Sequence, residues 1–184
     1  LPGASGLTEW AGEVNLVTLT GGSAEERGDL STGRCTNLDF AQDSNVACFP
    51  GTQFDRFEGN HVFYALDEPM PANAVVTVTL IPDPGVEANL YGFQTGTTSF
   101  PLPPGSAGGI CESSLDYQDF NPGEVESITF YNPPRNASYN ISWAVAGATG
   151  GVSGGYTVMV DMVVGETHCD ESLPGQSFDQ FPAE

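Results

Sequence analysis

Residues 60–66 read Asn-His-Val-Phe-Tyr-Ala-Leu, and this stretch decides the fold. An extended strand places alternate residues on opposite faces, and here both faces are largely apolar. Strands of this kind are typical of a sheet that is covered on both sides. The stretch therefore predicts a central β-strand, with its two faces formed by Val62, Tyr64 and Leu66 and by His61, Phe63 and Ala65.

Six further segments show the same alternation between turns that are rich in Gly or Pro. No segment has a convincing helical period. The sequence therefore predicts an all-β, jelly-roll-like antiparallel β-sandwich of about eight strands, with an extended N-terminal strand and arm. The further strands are expected at residues 13–20, 75–81, 87–93, 125–131, 138–146 and 156–164.

Composition divides the chain into four parts. Residues 1–33 contain the N-terminal strand and a Gly- and acid-rich arm, in which residues 21–33 are expected to be a linker. Residues 34–57 are expected to be a disulfide-looped region, residues 58–169 the sandwich, and residues 170–184 a polar C-terminal tail. The chain opens without a basic and apolar leader, so we interpret it as already processed.

The charge of the chain is strongly negative. It has 24 acidic residues, four arginines and no lysine, which gives a formal net charge of −20. Nucleic acids and anionic membranes bind positively charged surfaces, so the charge argues against both as partners. No apolar run approaches the roughly 18 residues of a membrane span. An acidic surface of this kind fits a solvated exterior, cation binding or a salty environment.

Four cysteines allow three disulfide pairings. We favour Cys35–Cys48, which closes a short loop, and Cys111–Cys169, which ties a loop within the domain to the C-terminal end. None of them forms a Cys-x-x-Cys pair, so zinc spacing is absent. Disulfides form in oxidising compartments, and we therefore expect a secreted protein at the cell exterior or surface.

Two sequons are compatible with that location. They begin at Asn136 and Asn140, and the alternation in residues 138–146 places Asn140 and Ser142 outward. Such sequons accept N-linked sugars on exposed loops and strands of secreted proteins. A glycoprotein is therefore expected.

Three short segments resemble one known family, the pre-peptidase C-terminal domain of secreted bacterial proteins, in a cysteine-containing variant. The segments are His61-Val-Phe-Tyr-Ala-Leu66, Val86-Glu-Ala-Asn-Leu-Tyr91 and Gly154-Gly-Tyr-Thr-Val-Met-Val160. The resemblance spans roughly residues 58–164, but Glu87 and Asn89 stand where the family has two aspartates. It implies a sandwich that assists, binds or spaces, and that does not catalyse.

Catalytic patterns are weak in this chain. Only His61 and His168 could act as a general base, and we expect the first to be a packed or edge residue of its strand and the second to lie on the surface. No nucleophile elbow, phosphate loop or zinc-protease motif occurs. An acidic chain does offer many carboxylate pairs of the kind used in glycoside hydrolysis. We nevertheless predict that the protein is not an enzyme.

Calcium is the cofactor that the sequence favours. Ca²⁺ takes six to eight oxygen ligands, and residues 116–124 offer four Asp, Asn and Glu side chains beside Gly123. The alternative is an acidic turn without a bound ion. The predicted ligands are Asp116, Asp119, Asn121 and Glu124, with a weaker second set at Asp83, Glu87 and Asn89.

Aromatic side chains could bind sugars by stacking, or they could anchor the core and loops. The candidates are Trp10, Tyr91, Phe93, Tyr117 and Phe120.

The N-terminal strand suggests an assembly role. Val14, Leu16 and Thr18 share one face of residues 13–20, and this strand could add to a neighbour's sheet edge or fold back on its own sheet. We therefore expect a structural subunit of an extracellular fibre or surface structure, which binds copies of itself or other surface proteins. The alternatives are a calcium-assisted carbohydrate-binding module and an accessory domain of a secreted hydrolase.

Overall fold

The computed structural model describes residues 14–35, 55–95, 110–113 and 122–165, and these residues form two β-sheets packed face to face. The all-β sandwich is thereby confirmed. Sheet A contains β1 (Val14–Val17), β3 (Arg34–Cys35), β4 (Asn60–Leu66), β6 (Ala88–Thr95), β7 (Ile110–Ser113) and β9 (Asn140–Gly147). Sheet B contains β2 (Ser23–Asp29), β5 (Ala74–Pro82), β8 (Glu126–Asn132) and β10 (Gly155–Val164).

The strand order is β1-β4-β9-β6-β7 in sheet A and β2-β10-β5-β8 in sheet B, with β3 also paired to β4. The described pairs are antiparallel apart from β1 and β4, which run parallel with Val14 opposite Phe63 and Val17 opposite Leu66. In the part of the chain that the structure describes, no helix is long and apolar enough to cross a membrane.

The core between the sheets is built from alternate residues of both. The Trp143 and Tyr64 rings stack with centroids 5.9 Å apart and an angle of 9° between their planes. Gly92 lies opposite Trp143, and a Cβ atom there would come within 2.7 Å of the Phe130 ring, so the sheets approach closely at a position without a side chain. The predicted inward residues of β5 are confirmed as buried, namely Val76, Val78 and Leu80.

Sheet A is also buried on its outer face, as the apolar pattern of residues 60–66 predicted. His61, Phe63, Tyr91 and Phe93 form an aromatic cluster there, which Phe57 completes. The Tyr91 ring meets the rings of Phe57 and Phe93 edge to face, each with centroids 5.6 Å apart. The central strand is thereby confirmed.

The expected linker at residues 21–33 was wrong, because this segment contains β2 and a 3-10 helix at Leu30–Thr32. Gly21 and Gly22 form a left-handed turn before β2, with φ angles of 63° and 90°. β2 lies at the edge of sheet B and exposes charged side chains on both faces, so it lacks the alternation that identifies half-buried strands. The sandwich therefore includes strands that precede residue 58.

One expectation about exposure was wrong. Ser142 is only 4% exposed, because β9 is covered on both faces and not on one. Tyr91 and Phe93 are fully buried in the outer cluster of sheet A, so these two rings anchor the core and do not offer a surface for a sugar.

Candidate functional site

A groove of about 530 Å³ opens between β2 of sheet B and β1 and β4 of sheet A. It lies where the edge strands of the two sheets diverge, so side chains from both sheets line it. Polar and apolar surface line the groove in similar proportion, and the polar side chains of its lining are Asn15, Arg27, Asp29, Thr32, Tyr64 and Asp83.

An ion pair between Arg27 and Asp83 lies at the groove. Arg27 Nη1 donates to Asp83 Oδ1 over 2.9 Å, and Arg27 Nη2 donates to Asp83 Oδ2. These hydrogen bonds lower the pKa of Asp83 and raise that of Arg27. The side chains are 57% and 42% exposed, so solvent screens the pair and its contribution to stability is small. Its main effect is to neutralise Arg27 locally.

Asp29 fixes the end of β2 beside the groove. Its Oδ1 accepts hydrogen bonds from the main-chain N–H groups of Ser31 (2.8 Å) and Gly154 (3.3 Å). The bonds from Ser31 are the largest cause of the lowered pKa of Asp29. This carboxylate caps the 3-10 helix and ties it to the loop before β10.

Tyr64, which lines the groove, is hydrogen-bonded to Tyr156 of β10. The hydroxyls of Tyr64 and Tyr156 lie 3.0 Å apart, and burial raises the pKa of both. Gly28 of β2 passes over the Tyr156 ring, where a Cβ atom would lie 2.5 Å from the ring carbons. Glycine at this position therefore lets the edge strand close over Tyr156.

His61 is sealed inside the outer cluster of sheet A. Its Nε2 lies 2.6 Å from the Phe57 carbonyl oxygen, and its Nδ1 lies 2.7 Å from the Tyr91 hydroxyl. A carbonyl oxygen only accepts, so Nε2 carries the proton and Nδ1 accepts from Tyr91. Burial lowers the pKa of His61 to about 4, and the hydrogen bond to Phe57 offsets this only in part. His61 is therefore a neutral core residue and no base for a solvent-borne substrate.

The main predicted calcium set falls largely outside the described residues. Asp116, Asp119 and Asn121 lie there, whereas Glu124 is described and half-buried. Gly123 adopts the left-handed turn that its position suggested, with φ at 89°, and its N–H donates to the carbonyl of Val86 over 2.8 Å. Calcium binding at this turn stays a prediction.

The weaker set does not share one environment. Asp83 is bound to Arg27, and Asn89 is buried on the outer face of sheet A, where it donates to the Arg56 carbonyl over 2.6 Å. Among the described residues, no three side chains of His, Cys, Asp or Glu are grouped as metal ligands. Calcium binding by Asp83, Glu87 and Asn89 likewise stays a prediction.

The cysteines are only partly described. Cys35 is exposed on β3, and its thiol is free in the described part of the chain. The expected partners of Cys35 and Cys111, which are Cys48 and Cys169, lie outside the described residues. Both pairings stay predictions.

The two sequons differ in exposure. Asn136 is exposed in the turn after β8, whereas Asn140 is half-buried at the start of β9. Glycosylation at either residue stays a prediction.

The predicted assembly strand is shorter than expected and pairs with its own chain. β1 spans Val14–Val17, with Val17 fully buried and Leu16 63% exposed. Thr18 lies just beyond it and donates from its hydroxyl to Asp67 over 2.5 Å. The parallel pairing with β4 fills the edge of sheet A within one chain, and exchange between chains stays a prediction.

The sequence did not predict the groove. Arg27 and Asp83 are 56 positions apart, and the strand that carries Arg27 lacks a strand-like pattern. One signal was present, because Arg27 is one of only four cations in a strongly acidic chain. A positively charged side chain that is this rare in an acidic chain is expected to form an ion pair with a carboxylate.

No family model matches the chain, and no curated protein matches it significantly. Several solved structures resemble it at low sequence identity, and three of them illustrate the level of similarity. The periplasmic g-type lysozyme inhibitor PliG of Aeromonas hydrophila is 15% identical with a TM-score of 0.42, over 83% of this chain and 100% of that chain.

The other two are similar at the same level. The pre-peptidase C-terminal domain of a Bacillus anthracis collagenase is 13% identical with a TM-score of 0.41, over 83% of this chain and 99% of that chain. The surface-associated copper-binding protein CorA of Methylomicrobium album BG8 is 13% identical with a TM-score of 0.42, over 84% of this chain and 100% of that chain. Similarity at this level does not indicate a shared function. The suspected family is thus among the similar structures, while membership of it and the cysteine-containing variant stay predictions.

Proposed function

We propose that this chain is a non-catalytic extracellular protein that assembles with its neighbours by β-strand addition, as a structural subunit of a surface structure or fibre. The observation that supports this most directly is β1, a four-residue strand that fills the edge of sheet A by a parallel ladder. Edge positions of this kind can be filled by the same strand from another copy. The buried state of His61, with both ring nitrogens engaged, supports the absence of catalysis.

The attachment of β1 is weak enough to be exchanged. Val17 is its one fully buried side chain, and burying a valine is worth about 1.5–3 kcal/mol. Side-chain and main-chain hydrogen bonds add to this, from Asn15 to the Phe63 carbonyl (3.1 Å) and from the Asp67 N–H to the Val17 carbonyl (3.1 Å). A second copy of the strand would make the same contacts, so exchange costs little contact energy.

The connection to β2 provides the hinge. β1 lies in sheet A and β2 in sheet B, and residues 18–22 cross between them. The crossing ends in the left-handed turn of Gly21 and Gly22. Rotation at Thr18 and Leu19 would release β1 and leave the hydrogen bond between Thr20 and Ser23 in place.

Deleting residues 1–17 is expected to abolish assembly and to leave a folded monomer. The deletion removes β1 but keeps the turn before β2 and every other described strand. Light scattering would measure the native mass, and far-UV circular dichroism would check the fold. Assembly that persists in the folded deletion variant would refute strand exchange through β1.

Two point variants provide a matched control if the deletion variant does not fold. Val17→Ser removes the buried contact of β1, whereas Leu16→Ser alters the neighbouring exposed side chain. Strand exchange predicts that Val17→Ser lowers the assembled fraction and that Leu16→Ser does not. Equal effects of the two variants would contradict it.

Calcium assistance is a separate part of the proposal, supported by the left-handed turn at Gly123 beside Glu124. Asp119→Ala is expected to lower the melting temperature in calcium, because a bound ion stabilises the folded state by mass action. In the presence of a calcium chelator, the variant should have the same melting temperature as the unsubstituted chain. A loss of the same size in both conditions would show that Asp119 acts without an ion.

A further inference from the structure

The edge strand β2 carries main-chain hydrogen-bonding groups that point away from its sheet. Hydrogen bonds from Leu30 N to Gly154 O (2.9 Å) and from Met162 N to Gly22 O (2.7 Å) flank the ladder between β2 and β10. In antiparallel pairs, residues alternate between those that exchange hydrogen bonds with the partner and those that do not. Residues 22 and 30 face β10, so the odd-numbered residues of β2 direct their N–H and C=O groups to the open side.

Local contacts occupy these groups at both ends of β2. Ser23 is bonded to Thr20 through its N–H and its carbonyl, and the carbonyl of Asp29 accepts from the 3-10 helix over 2.8 Å. Glu25 and Arg27 remain in the middle, and their main-chain groups have no partner among the described residues. An added strand forms main-chain hydrogen bonds with every second residue of an edge strand, and Glu25 and Arg27 have this spacing.

We propose that this edge of β2 binds an extended segment of a different protein, one that carries lysine or arginine, as an added strand. The partner's main chain pairs with Glu25 and Arg27. The groove of about 530 Å³ lies on the same side of the sandwich and has room for side chains of the added strand.

Charge favours a basic partner. Glu25 and Glu26 are exposed on β2, and Asp161 lies opposite Ser23 in the neighbouring strand. The positive charge of Arg27 is neutralised by Asp83, so the surroundings of the edge are acidic. Opposite charges on the two partners speed encounter and select against acidic competitors.

Charge also argues against a second copy of this chain as the occupant. The chain has no lysine and only four arginines, and residues 13–20 carry a single charge, which is the acid Glu13. A second copy of the N-terminal strand would therefore meet like charge at this edge. The inference is independent of strand exchange through β1, since it concerns another edge and another partner.

The test uses the full chain and a capped peptide of four Lys-Val repeats, titrated by calorimetry at low salt. Saturable one-to-one binding is expected. Glu25→Pro should weaken it about tenfold or more, which corresponds to at least one main-chain hydrogen bond. Proline is tolerated at this edge because the N–H of Glu25 points away from β10. Glu25→Ala, which keeps that N–H, should weaken binding less.

The same peptide with every residue N-methylated provides a second measurement on the unsubstituted chain. Methylation keeps the charge and removes main-chain donors, so binding should fall about tenfold or more. Equal binding of the two peptides, binding that Glu25→Pro leaves unchanged, or no saturable binding would each overturn the inference. Loss of self-assembly in Glu25→Pro would assign the edge to a second copy and overturn the choice of partner.

Discussion

Acidification from pH 6.5 to about 4 is expected to lower the free energy of unfolding by about 3 kcal/mol through His61 alone. Burial lowers the pKa of this histidine in the folded state from 6.5 to about 4. Within that window the unfolded chain binds the proton and the folded chain does not. The stabilisation is therefore fully present above pH 6.5 and is lost as the pH falls towards 4.

The comparison variant is His61→Gln, whose amide can donate to the Phe57 carbonyl and accept from the Tyr91 hydroxyl without titrating. Urea unfolding of both proteins across pH 8 to 4 gives, for each protein, the slope of the free energy of unfolding against pH. The other titratable groups are present in both proteins and cancel in the difference. Parallel curves for the two proteins would show that His61 is not a buried neutral residue.

Replacing Trp143 by alanine is expected to cost about 3–5 kcal/mol of stability, because it removes the largest buried side chain among the described residues. Its ring stacks on Tyr64 and lies opposite Gly92, so the cavity would open at a position where the two sheets approach closely. Denaturant unfolding would measure the loss.

Two further variants separate cavity formation from other effects. Trp143→Phe keeps much of the ring and removes an indole Nε1 that is buried without a hydrogen-bond partner among the described residues, so it should cost less than the alanine variant. Val163→Ala alters a side chain that is 68% exposed and should change stability by no more than about 0.5 kcal/mol. A cost for Trp143→Ala as small as that for Val163→Ala would contradict the packing described.

Alternation predicted the strands that are buried on at least one face. β4, β5 and β10 were identified because their apolar residues follow the period of a strand. The same reasoning placed Val76, Val78 and Leu80 in the core. The residue types alone therefore predict burial of this kind.

Edge strands and doubly covered strands were harder to interpret. β2 is exposed on both faces, so nothing in Ser23–Asp29 separates it from a linker, and its place beside β10 depends on tertiary pairing. Ser142 is polar yet buried, because the outer face of sheet A is covered. The groove depends on both kinds of strand, which explains why local sequence did not reveal it.

The native mass of the full chain, measured by light scattering under non-denaturing conditions, tests strand-mediated assembly most directly. Assembly predicts a native mass several times the 19.3 kDa of one chain, and deletion of residues 1–17 should reduce it to the mass of one shortened chain. A full-length protein that stays at 19.3 kDa across concentration would contradict self-assembly through β1.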